Sequence, residues 1–151
     1  MKLSIHETAL LTLLRKGLML SEESLPESFA DFQEVAVLAR KQTVLGIVAR
    51  AIISDPRYSA RIPRTLLVKL KSFVVSGAIK YDEMTDSLAK VVSTLQAEGI
   101  GSVLLKGHGL AANYPDPALR QCGDIDLYVG EDSVRAYDLL AASADHIDKR
   151  Q

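Results

Sequence analysis

Leu67, Leu70, Val74, Gly77, Tyr81, Met84, Leu88, Val91 and Leu95 follow one another in alternating steps of three and four residues. Positions spaced this way fall on one side of an α-helix, because 3.6 residues complete a turn. Pro63 precedes the pattern and Gly99 follows it. A proline suits a helix start, where its missing N–H is not needed, and a glycine suits the turn just past a helix end. The interval between them is therefore predicted to be one long helix. That constrains the rest of the chain, since something must cover its apolar seam. Two readings are open: the seam packs on earlier helices of the same chain, or it dimerises as a coiled coil. The first needs no second copy and is preferred.

The residues before Pro63 supply such cover. Ser4-Ile5-His6-Glu7 has the spacing of a capping box, and Leu10, Leu11, Leu13, Leu14 and Leu18 recur behind it at helical intervals. Gly17 is expected at the end of that helix. A polar stretch, Ser21 to Ser24, leads to Pro26, and a second helical pattern runs from about Phe29 to Ser54 with Phe32, Val35, Leu38 and Ala39 on one stripe. Gly46 is expected to divide it, because glycine weakens a helix interior by about 1 kcal/mol relative to alanine. Asp55-Pro56 stops it. Residues 1–98 read as a helical N-terminal region.

Composition narrows the function classes. The chain has 151 residues, a length typical of one domain with a real core. Its 18 Lys+Arg against 19 Asp+Glu exclude a nucleic-acid binder that works by a coat of positive charge. Aromatic residues are 5% and tryptophan is absent, which argues against a base-stacking surface. No apolar run reaches the ~18 residues of a membrane span, and no signal peptide is legible at the N-terminus. A single cysteine, Cys122, makes neither an internal disulfide nor a metal site alone. A cytoplasmic protein is the plain expectation.

Past Gly99 the character changes. Ile100 to Leu105 is a short apolar run suited to a buried strand, followed by Lys106-Gly107-His108-Gly109 and a short helical piece, Leu110 to Tyr114. Pro115-Asp116-Pro117 forces a loop. A second strand is expected from Asp124 to Val129, and Asp132 or Ser133 caps a last helix. In the second strand Ile125, Leu127 and Val129 would form one face and Asp124 and Asp126 the other. Two like charges on one face repel, and a hard divalent cation with oxygen ligands would relieve them. The plain alternative is the solvated side of an amphipathic strand. Gly107 and Gly109 after a strand let backbone N–H groups approach an anion. Lys106 offers a phosphate a point charge and Arg120 a bidentate contact.

Leu104-Leu105-Lys106-Gly107, Tyr114-Pro115-Asp116-Pro117, Arg120 and Gly123-Asp124-Ile125-Asp126-Leu127 together resemble an uncharacterised bacterial nucleotidyltransferase family of the polymerase-beta-like superfamily. The resemblance is close over about residues 100–140. It implies an α+β fold: an N-terminal helical bundle followed, over residues 99–151, by a partial nucleotidyltransferase-type mixed sheet with flanking helices. It implies metal-dependent transfer of a nucleoside monophosphate from a nucleoside triphosphate to an unknown hydroxyl acceptor, with Mg²⁺ or Mn²⁺ as cofactor. Asp124 and Asp126 match the catalytic, metal-binding carboxylates. Lys106, Gly107, His108 and Arg120 match nucleotide-binding positions, with His108 replacing the serine of the broader superfamily signature. Enzymes of this kind use a third carboxylate on a later strand. Asp145 and Asp148 are poor candidates for it, and no later strand pattern follows. The alternative is thus a catalytically incomplete regulatory or interaction module. A second copy or a partner chain would complete the sheet, and no membrane partner is expected.

Overall fold

The computed structural model describes residues 2–142. Helices dominate an α+β architecture. They are α1 (Ile5–Gly17), α2 (Phe32–Lys41), α3 (Leu45–Ser54), α4 (Pro56–Ser59), α5 (Arg64–Ala97), α6 (His108–Ala111) and α7 (Ser133–Ala141). Strands β1 (Val103–Leu104) and β2 (Leu127–Tyr128) pair antiparallel, with Val103 opposite Tyr128 and Leu104 opposite Leu127. Two compact units interleave along the chain. Of the described residues, one comprises 2–81 together with 111–122, and the other comprises 82–110 together with 123–142.

The helical unit is built on the apolar stripes of α1, α2 and α3. Leu13, Phe32, Val35, Val48, Ile52 and Tyr58 are all but inaccessible to solvent. Burying each such side chain contributes about 1.5–3 kcal/mol. Leu66 and Leu70 join this core from the first turns of α5, with Leu67 and Val74 packed against it. The buried Tyr58 hydroxyl accepts the Leu25 N–H at 2.8 Å, so the loop between α1 and α2 is tied to α4. The capping box at α1 is formed in both directions: Glu7 N–H donates to Ser4 Oγ at 3.2 Å and Ser4 N–H to Glu7 Oε2 at 2.7 Å.

Three helices end in the same way, and only one of them on a glycine. At α5, Ile100 N–H reaches Leu95 O at 2.9 Å and Gly99 N–H reaches Gln96 O at 3.0 Å, with Gly99 at φ +72°. This is a Schellman motif, and the buried Leu95 and Ile100 belong to one apolar cluster across it. The same pair of bonds closes α1 at Met19 (φ +57°) and α2 at Thr43 (φ +55°). Gly17 stands at the end of α1 as expected, whereas the α2 cap corrects the expectation placed on Gly46. Gly17 is the last residue of α1, not the turning one, and an added Cβ there would overlap the Ile47 carbonyl oxygen. Gly46 does not divide the second helical pattern. It lies inside α3, where a Cβ would come within 2.5 Å of the Leu119 carbonyl oxygen, and the break falls at Gln42–Val44. Both glycines are there for close approach of backbones.

The second unit has a smaller core of Leu95, Ile100 and Ala136, with Val91, Leu127 and Val129 packed against it. The long seam of α5 thus feeds two cores: its first turns the helical one, its last turns this one. Both strands are shorter than expected. The run Ile100–Leu105 yields two paired residues, and Val103, expected to be buried, is 57% exposed. Asp124, Ile125 and Asp126 precede β2 and are not part of it. Aspartate is a poor strand former, and a two-stranded ladder gives each strand a single partner. The helix expected at Leu110–Tyr114 begins earlier, at His108.

Candidate functional site

The candidate residues of the second unit are gathered by the turn from β1 into α6 and by the segment that leads into β2. Beyond the paired strand residues, Leu105 N–H donates to the Asp126 carbonyl at 3.0 Å. That bond sets Lys106 beside Asp126. The Lys106 ammonium stands 3.2 Å from Asp126 Oδ2; the lysine side chain is 71% exposed and the aspartate 34%. Oδ2 itself is shielded from solvent and, in this ion-pair contact, lacks hydrogen-bond geometry. Asp124, two residues earlier, is exposed. The structure therefore joins Lys106 to Asp126 directly, with Asp124 at the open end of the same segment.

Gly107 follows with φ +68°, a left-handed conformation that favours glycine, and its carbonyl accepts the Leu110 N–H at 3.2 Å. At Gly109 a Cβ would lie 3.1 Å from the Leu104 side chain, so the turn folds tightly back on β1. His108 goes inward. It is 6% exposed, and its Nε2 is 3.0 Å from the Thr85 hydroxyl on α5. The ring thus anchors the turn to the long helix, and what residue 108 can offer an anion is its backbone amide. Thr85 carries no signal in the sequence for this role: it lies 23 residues away in an exposed stretch of the α5 pattern.

Arg120 belongs to the helical unit, where it caps a single 3₁₀ turn, Pro117–Leu119. The Asp116 carboxylate starts that turn by accepting the Ala118 N–H at 3.2 Å and meets Arg50 Nη1 at 3.3 Å. Cys122 is half-buried. Asp145, His146 and Asp148 lie outside the described residues.

The donor set suits a hard cation. Two carboxylates are what Mg²⁺ commonly takes from a protein when phosphate oxygens and water complete its shell. The shielded Asp126 Oδ2, faced by an ammonium and held by no hydrogen bond, is an oxygen of that kind. No group of three or more histidine, cysteine or carboxylate ligands forms among the described residues. None of the described helices is long and apolar enough to cross a membrane.

A helix-dominated α+β chain with a glycine turn beside an aspartate-bearing segment is the class that these elements define. The family described as "uncharacterised nucleotidyltransferase" matches residues 28–147. The chain belongs to that family, as the resemblance over residues 100–140 implied, and the match extends into the N-terminal helices. No curated protein and no solved structure matches the chain.

Proposed function

We propose that this protein transfers a nucleoside monophosphate from a nucleoside triphosphate to a hydroxyl acceptor, using Mg²⁺ or Mn²⁺. The observation that carries the reading is Asp126 Oδ2, shielded and ion-paired with the exposed Lys106. Asp124 and Asp126 would hold the cation. When bound, Mg²⁺ or Mn²⁺ supplies neutralisation of triphosphate charge and of the charge that develops at the α-phosphorus. Gly107 and His108 contribute backbone amides to the distal phosphates, and Lys106 a positive charge. For Arg120, which belongs to the helical unit, the family resemblance is what supports a phosphate-binding or structural role. The acceptor hydroxyl gives up its proton to solvent as its oxygen bonds to the α-phosphorus, the bridge to the β-phosphorus breaks, and pyrophosphate leaves. In this reading residues 99–151 form the nucleotidyltransferase core behind the helical region 1–98, and the reaction belongs in the cytoplasm.

The test is thermal stabilisation by a nucleoside triphosphate with Mg²⁺ or Mn²⁺. A ligand at 100 times its Kd adds about 2.7 kcal/mol of stability, which is easily read as a rise in Tm. Asp124→Asn combined with Asp126→Asn is expected to abolish the rise. No rise with any nucleoside triphosphate and either metal overturns the proposal. Released pyrophosphate then separates turnover from a catalytically incomplete module, which would be stabilised by the nucleotide without consuming it.

A further inference from the structure

We propose that Lys106 is a resident counter-ion which a divalent cation must displace from Asp126, so that metal alone binds weakly and metal with polyphosphate binds well. The inference rests on the metal site proposed above and adds its regulation. Three observations carry it. The Lys106 ammonium occupies the approach to Asp126 Oδ2 at 3.2 Å. That oxygen is shielded and held by no hydrogen bond, so the lysine charge is what compensates it. The lysine side chain is largely exposed, so it can swing away without breaking a packed core.

A cation arriving alone loses twice. It breaks the ion pair, and it leaves an ammonium close to a second positive charge. A cation arriving with a polyphosphate gives that ammonium a new anionic partner, so the exchange is nearly balanced. The lysine thereby couples the two ligands through a contact that exists before either binds. Coupling of this kind is reciprocal: each ligand strengthens the other by the same factor.

Mn²⁺ binding to the full chain, followed by its paramagnetic resonance signal, tests this with inorganic tripolyphosphate as the second ligand. Lys106→Met is expected to tighten Mn²⁺ alone by about fivefold, the scale of one exposed ion pair. The same change is expected to weaken tripolyphosphate in saturating Mn²⁺ by a similar factor or more. Lys106→Arg, which keeps the charge, is expected to stay near the parent in both measurements. The opposite signs are the signature, because a merely structural lysine would move both affinities in one direction. If Mn²⁺ binding is lost in Asp126→Asn but unchanged or weakened in Lys106→Met, the counter-ion idea fails while the metal site stands. If Mn²⁺ binds neither the parent nor Lys106→Met, with or without tripolyphosphate, the metal site and the counter-ion both fall.

Discussion

Thr43 and Met19 hold left-handed backbone at the ends of α2 and α1, and both are exposed. An L-residue there brings its Cβ close to a carbonyl oxygen, at a cost of roughly 1–2 kcal/mol. Thr43→Gly removes that cost and loses an exposed side chain whose hydroxyl donates to the neighbouring Gln42 carbonyl at 2.7 Å. The expected result is a gain of about 0.5–1 kcal/mol in chemical denaturation, after glycine's larger backbone entropy loss is set against it. Asp55 works in the opposite sense. Its carboxylate is 7% exposed, caps α4 through the Arg57 N–H, and meets the Arg57 guanidinium at 2.7 Å and Lys16 Nζ at 3.3 Å. The Arg57 hydrogen bond, first among these contacts, holds its carboxyl well below the usual carboxylate range. A folded-state value below the unfolded one, ~3.9, means that the stabilisation is complete above that pH and is lost as the pH falls through and below it. Asp55→Asn is expected to flatten this acid limb of the stability curve between about pH 5 and pH 2, as read by urea midpoints. Such residue-level facts were unevenly legible. The capping box at Ser4 and the stop at Gly99 are local, and local patterns can be read. The bond from His108 to Thr85 joins residues that only the fold brings together.

Glycine shows the same division among the elements. An exposed glycine in mid-helix normally gains about 1 kcal/mol on conversion to alanine. Gly46→Ala is expected to do the reverse, because the new Cβ would meet the Leu119 carbonyl backbone, which cannot move aside as a side chain would. A loss of about 2 kcal/mol is expected in the same denaturation assay. The sequence alone reads Gly46 as a helix breaker, since propensity is visible there and a neighbouring backbone is not. The long α5 was legible almost to the residue, because a thirty-four-residue helix repeats its signal many times. The strands were legible in place but not in length. A short apolar run locates β1 and apolar alternation locates β2, whereas their extent depends on how many neighbours they find. In the described residues each finds one.

The whole molecule sets a broad helical core against a small one. The helical unit buries side chains from five helices, while the unit that carries Lys106, Gly107, Asp124 and Asp126 has three fully buried apolar residues at its centre. Local opening is governed by how much packing must be undone, so amide exchange is expected to differ widely between the two. The Leu105 amide, bonded to the Asp126 carbonyl just beyond a two-residue ladder, is expected to exchange at least ~100-fold faster than the amide of Val48, midway along the buried α3. Equal protection at the two positions would contradict this. The amide beside Asp126, the aspartate proposed to hold the metal, thus becomes an internal reporter. Ligands that draw the β1 turn and the β2 approach together would lengthen its deuterium lifetime, so exchange could reveal occupancy of the site before any acceptor is known.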